Sequence, residues 1–196
     1  MATECGRLLA WGSNDEGQLG LGDSDARHEP CVVQLPADER AASVACSAEQ
    51  TFALTENGTA LSCGSDVFGQ LGHAPPAKGA AREGCSPFLR PVHLGLGSHV
   101  TVASLACAPQ HGAALTDDGR VLTWGAADGG RLGRRRKPGN ADGLGGPPVS
   151  AQAHALPAAV PSLSDQGVVS LSAGGAHTVA ATAKGELWLW GQVSEP

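Results

Sequence analysis

The chain has 196 residues, a net charge of −6 and a pI near 5.6. That length gives one domain able to bury a core, and the acidic balance argues against a dedicated nucleic-acid binder, whose affinity rests on Lys and Arg at phosphates. Glycine reaches 28 residues, about twice the usual ~7% share, while tyrosine is absent and only 16% of residues are charged, a profile that favours a turn-rich β protein over a helical one.

In chain order, the first distinctive stretch is AWGSNDEGQLGLGD, residues 10–23. Ahead of it, the four-residue apolar run after Arg7 is too short for a signal-peptide core, and no later run is long enough to span a membrane. An intracellular location, cytoplasmic or nuclear, is therefore expected. The glycines could cradle a phosphate, but no Gly-Lys-Ser/Thr follows and no helix opens on Gly17, Gly20 or Gly22. They read as turns that need positive φ. Strands are expected near CVVQL (31–35) and AASVACS (41–47). TFALT (51–55) then turns at Asn57-Gly58 and returns as TALSCG (59–64). Asn57-Gly58-Thr59 also matches a glycosylation acceptor, but reads better as that turn. Further along, AALT turns at Asp118-Gly119 into RVLTWG, and TVAAT turns at Lys184-Gly185 into ELWLWG.

These segments are copies of one unit. Trp11, Cys63, Trp124 and Trp190 align, each followed by glycine, and AWGSNDEGQLG recurs as SCGSDVFGQLG and TWGAADGGRLG. A second motif keeps phase: Gln50, His111 and His177 each lie 13 residues before the aligned position, and Gly58, Gly119 and Gly185 each lie five before it. Leu61, Leu122 and Trp188 share a face of the returning strands, with the residue just before each Trp or Cys on the other face. Four antiparallel strands per unit at this period imply an all-β fold of propeller blades. The tryptophans are then expected in the core or between blades.

LTDDGRVLTWG, WGSNDEGQLGLGD and GGAHTVAATAKG resemble the repeats of the regulator of chromosome condensation family, from Leu8 to Gly191. LTENGTALSCGSDVFGQLG also resembles the secretion-regulating guanine nucleotide exchange factor subgroup. The resemblance implies a β-propeller, usually of seven blades, serving as an exchange factor for small GTPases, a chromatin binder or a recognition module. Counted from the Trp-Gly strand, the chain holds about three blades and a spare strand, in one partial domain over 1–196 with repeats near 12–63, 64–124 and 125–190. Closed propellers need ~4–8 blades, so the ring is expected to be incomplete and to be completed by more of its own chain or by another.

Function is expected to reside in loops. In the family, the loop bearing the repeated histidine lies on a face that meets the GTPase in the Ran exchange factor. The matching positions here are His111 and His177, with Gln50 in the first copy and Glu49 and Gln110 just before the first two; only Glu49 is acidic. RRRK, Arg134, Arg135, Arg136 and Lys137, is the conspicuous charge cluster. It reads as a solvated loop or as a patch for nuclear import or phosphate contact, and hence chromatin. Cys5, Cys31, Cys46, Cys63, Cys85 and Cys107 have neither C-x-x-C nor finger-like spacing. They are expected to be reduced and mostly core. No catalytic constellation, cofactor or metal is expected, and the protein should not be an enzyme.

Overall fold

A computed structural model describes residues 1–74, 84–97, 100–134 and 155–192. It is built of strands: β1 (Leu8–Gly12), β2 (Arg27–Val33), β3 (Ala41–Cys46), β4 (Gln50–Thr55), β5 (Ala60–Ser65), β6 (Cys85–Pro91), β7 (Val102–Ala108), β8 (His111–Thr116), β9 (Val121–Gly125), β10 (Ala158–Ala159), β11 (Val168–Ala173), β12 (His177–Thr182) and β13 (Leu187–Gly191). Among the described residues they form an antiparallel pair β1-β2, a first blade β3-β4-β5-β6, a second blade β7-β8-β9-β10 and a third sheet β11-β12-β13. These are propeller blades in an open arc, with two four-stranded blades between a two-stranded and a three-stranded sheet among the described residues.

Local chemistry repeats from blade to blade. The hairpin after β4 closes with Thr55 N–H on the Thr59 carbonyl and Gly58 N–H on the Thr55 carbonyl, and Gly58 has φ +77°. This is a three-residue loop with glycine in the left-handed position, and Gly119 and Gly185 repeat it at +82° and +83°. Each first strand carries one extra residue at the same place, where the register shifts between Ala41 and Ser43, Val102 and Ser104, and Val168 and Ser170. One hairpin escapes the sequence reading. Thr3 N–H bonds the Arg7 carbonyl and Gly6 N–H the Thr3 carbonyl, with Gly6 at φ +73°, so Thr3–Gly6 is the same turn as Thr55–Gly58. Met1 and Ala2 pair the edge of β1: the Met1 amino group donates to the Leu9 carbonyl and Leu9 N–H to that of Met1.

The core lies between sheets. Phe52, Leu54 and Ala60 of the first blade meet Val102, Ala114, Leu122 and Trp124 of the second. Leu115 and Val121 meet Val168, Ala180, Trp188 and Trp190 of the third sheet. Thus Leu61, Leu122 and Trp188 face back along the arc while the alternate residues face forward, as the alternation requires.

The ends differ from the middle. Trp124 is fully buried, whereas Trp11 is 48% exposed and is a correction to the expectation that all aligned tryptophans are packed. No sheet precedes it among the described residues. At the other end Leu187 and Leu189 are exposed, while their counterparts Val121 and Thr123 are buried. The cysteines are free, but only Cys63 is buried, and Cys5, Cys46 and Cys85 are exposed. This overturns the reading of most of them as core: Cys5 sits in the Thr3–Gly6 turn, and Cys46 and Cys85 stand at the last position of β3 and the first of β6, on the outward side of the alternation.

Candidate functional site

One end of each blade gathers two loops: the turn joining its first two strands, at 47–49, 109–110 and 174–176, and the junction loop that leaves its third strand. Backbone bonds lock them together, with Ser65 N–H on the Glu49 carbonyl, Ala126 N–H on that of Gln110 and Gln192 N–H on that of Ala176. The approach is close enough to need glycine. A Cβ on Gly125 would lie 2.5 Å from the Gln110 carbonyl oxygen, at φ +102°, and Gly64 and Gly191 are placed alike. The glycines after Cys63, Trp124 and Trp190 therefore exist for this face, whereas Gly12 after Trp11 meets nothing within 4 Å.

The sequence-selected residues divide between surface and seam. Glu49 is exposed, and Gln110 and His177 are half-buried. Gln50 and His111 are fully buried, which corrects the reading of all five as one contact surface: these two tie neighbouring blades. Gln50 accepts from Ser47 Oγ at 2.6 Å and donates through Nε2 to the Pro109 carbonyl of the next blade at 3.2 Å. His111 Nε2 lies 2.9 Å from Thr178 Oγ1, which donates to the Arg131 carbonyl at 3.1 Å. That hydroxyl therefore accepts from Nε2–H, and the buried Nδ1 has no partner. Burial first, then the nearby charges of Arg131 and His177, pull the His111 pKa down to about 4.

Arg131 is the residue that sequence reasoning missed. It is buried, and its guanidinium donates to Gln110 Oε1 at 2.5 Å, to the Asp128 carbonyl at 2.8 Å and to the Gly175 carbonyl of the next blade at 3.5 Å. The signal was present, since GGRLG replaces the GQLG of two other copies. Gln18 occupies the same place in the first copy and reaches the Ala48 carbonyl at 3.3 Å. The structure thus brings Gln110, His111, Arg131 and His177 to one seam and leaves Glu49 and Gln50 one blade away.

A second tie runs through the junction loops. Trp124 Nε1–H donates to the Gln70 carbonyl at 2.8 Å and Trp190 Nε1–H to that of Arg131 at 2.9 Å. Cys63 Sγ makes the weaker equivalent contact with the Gln18 carbonyl at 3.4 Å. Each indole lies over the last glycine of the preceding junction motif, Gly72 or Gly133, where a Cβ would come within 2.8 Å of Nε1.

Of the basic run, Arg134 is described: it is half-buried, its Nε and Nη2 have no hydrogen-bond partner, and burial lowers its pKa. Arg135, Arg136 and Lys137 lie outside the described residues. A serine–histidine contact exists, Ser62 Oγ to His73 Nε2 at 2.9 Å, but Ser62 is fully buried and donates to the Leu71 carbonyl at 2.7 Å, out of reach of substrate. Among the described residues no three His, Cys, Asp or Glu are grouped to hold a metal, and no helix is long and apolar enough to cross a membrane. The candidate site is a face of paired loops tied together by hydrogen-bonded seams.

Comparison with known proteins agrees with this architecture. The secretion-regulating guanine nucleotide exchange factor of Bos taurus is 34% identical over 97% of this chain and 38% of its own length. The ultraviolet-B receptor UVR8 of Arabidopsis thaliana is 30% identical over 94% of this chain and 37% of its own. The solved structure of Kap60 bound to yeast RCC1 (Prp20) matches with a TM-score of 0.74 at 24% identity, over 95% of this chain and 40% of that one, a likeness of fold. The chain spans less than half the length of these relatives. Residues 5–54 and 118–181 match the regulator of chromosome condensation (RCC1) repeat, and a second description of that repeat matches 41–70. With repeated hairpins, junction glycines and indole ties in phase with those matches, the chain belongs to the RCC1 repeat family.

Proposed function

We propose that the chain is a protein-interaction module that docks on a small GTPase and regulates its nucleotide exchange, in the cytoplasm or nucleus. The observation that carries this reading is the 34% identity, across 97% of the chain, to a guanine nucleotide exchange factor. Exchange needs no covalent step: a protein that binds the nucleotide-free GTPase more tightly than the loaded one weakens nucleotide affinity by that difference. Of the sequence-selected residues, Glu49, Gln110 and His177 reach solvent on the repeated turn face, and Arg131 fixes the orientation of Gln110. The test is release of a fluorescent GDP analogue from a panel of small GTPases. Faster release from one of them, reduced several-fold by Glu49→Ala, supports the reading. Unchanged release across the panel overturns it in favour of a non-catalytic recognition segment of a larger protein.

A second reading, binding to chromatin, is favoured by the four-cation run from Arg134 to Lys137. It expects affinity for nucleosomal DNA that falls steeply with salt and is weakened by Arg135→Ala.

A further inference from the structure

Arg131 is a buried cation without a counter-ion. It is 7% exposed, and among the described residues no carboxylate lies within ion-pairing distance of it. Its acceptors are the Asp128 and Gly175 carbonyls and Gln110 Oε1, all neutral. Buried arginines are ordinarily paired, because taking a charge out of water is costly unless an opposite charge answers it. The other two copies avoid that cost. Gln18 and Gln70 hold this place, and the Oε1 of each accepts from the backbone N–H two residues earlier, of Glu16 at 3.0 Å and of Phe68 at 2.7 Å. Arginine has no acceptor to offer. In its loop the corresponding peptide is turned over: the Asp128 carbonyl faces Arg131 Nε, and the trans peptide then points the Gly129 N–H away. Gly129 takes φ +64°, where Glu16 and Phe68 keep negative φ. One edge of the guanidinium is left over. Nε and Nη1 are used, whereas Nη2 makes no hydrogen bond and, unlike the enclosed His111 Nδ1, is not cut off from solvent.

We propose that Nη2 of Arg131 receives a carboxylate, carried by an aspartate or glutamate of a polypeptide docked on the turn face. Guanidinium nitrogens pair with carboxylates through short charge-assisted bonds, and the pairing supplies the counter-ion that the buried cation lacks. A doubly charged phosphate fits less well, because Asp128, whose carbonyl holds Arg131 Nε, carries an exposed carboxylate of its own. A single open edge binds a free acid weakly, so the carboxylate arrives on a surface that makes further contacts. For that carrier the inference rests on the docking reading above, which GDP release tests separately.

The guanidinium is followed by NMR on this chain alone, through the Arg131 Nε–H signal in proton–nitrogen correlation spectra. Arg120 is the reference, because Asp118 already pairs it. Acetate is titrated against chloride at constant ionic strength. We expect the signals of Arg131 and of the Gln110 side-chain amide to shift saturably while that of Arg120 stays in place. An acetylated, amidated glycine pentapeptide with a central glutamate acts at the same concentration as acetate, and its glutamine analogue does not act. Arg131→Gln, which installs the residue of the other two copies, abolishes the Gln110 response; a melting midpoint no lower than the parent's certifies its fold. An unmoved Arg131 signal overturns the proposal, and if some GTPase still releases GDP faster the docking reading stands without it. Phosphate acting at a concentration at least tenfold below acetate overturns it in favour of a phosphate site. Glutarate acting at least tenfold below the glutamate peptide overturns it in favour of a free acid. A response that appears only in Asp128→Asn also overturns it, and assigns Asp128 as the guanidinium's own counter-ion.

Discussion

His111 shows how a single residue couples a seam to pH. Its folded-state pKa of about 4 lies below the ordinary value of 6.5, so the unfolded chain binds the extra proton first. Stability is complete above about pH 6.5 and falls as pH drops toward 4, by roughly 3 kcal/mol if the shift is fully expressed. Denaturant titrations at a series of pH values should show this loss, and His111→Gln should flatten it, because Gln50 shows that a glutamine fits the equivalent seam. Thiol chemistry separates in the same way. Burial pushes Cys63 and Cys107 up to about 12, while a hydrogen bond from Thr3 lowers Cys5. Thiolates, not thiols, attack maleimides, so timed alkylation should modify Cys5 early and Cys63 last. Glycine positions grade by surroundings. Gly119→Ala meets nothing within 4 Å and suffers only its positive φ, about 1 kcal/mol. Gly125→Ala adds a clash with the Gln110 carbonyl, and thermal melts should show a cost of more than about 2 kcal/mol.

At the scale of the element, the indole ties make each blade depend on the loop before it. Trp124→Phe keeps most of the apolar area but leaves the Gln70 carbonyl without its donor, a loss on the order of 1–3 kcal/mol. Trp11→Phe, half-exposed and with no tie to break, should leave the melting midpoint within about 1 kcal/mol of the parent. What was legible beforehand follows the same division. The hairpins at Gly58, Gly119 and Gly185 could be read because glycine, phase and alternating strands all recur. The hairpin at Thr3–Gly6 could not: Cys5 stands where Asn57 stands in the next copy, and only Met1 and Ala2 precede the turn as strand. The face built of turns and junction loops was legible as a set of loops, but the inward turn of Gln50 and His111 was not. Both are polar, and only the partners across the seam, Pro109 and Thr178, explain their burial. Those partners lie 59 and 67 residues away, beyond the reach of local pattern.

Over the whole molecule, protection is graded from the middle of the arc to its ends. β5, β8 and β9 are buried along their full length, whereas β13 alternates between exposed and half-buried and β1 is exposed at Trp11 and Gly12. Hydrogen exchange should therefore be slowest in the first two blades and fast in β13 and the Trp11 end of β1. Equal protection in solution would mean that the ends are covered there. The ties between an indole and the preceding loop span 54 and 59 residues, and they give the fold a modular grammar. At each seam the later blade offers an indole or thiol donor and the preceding junction loop a carbonyl acceptor, so a complete unit inserted there satisfies both. Such a protein can gain or lose whole blades by gene duplication or deletion without redesigning any joint, while a partial unit leaves a half-made joint at its border.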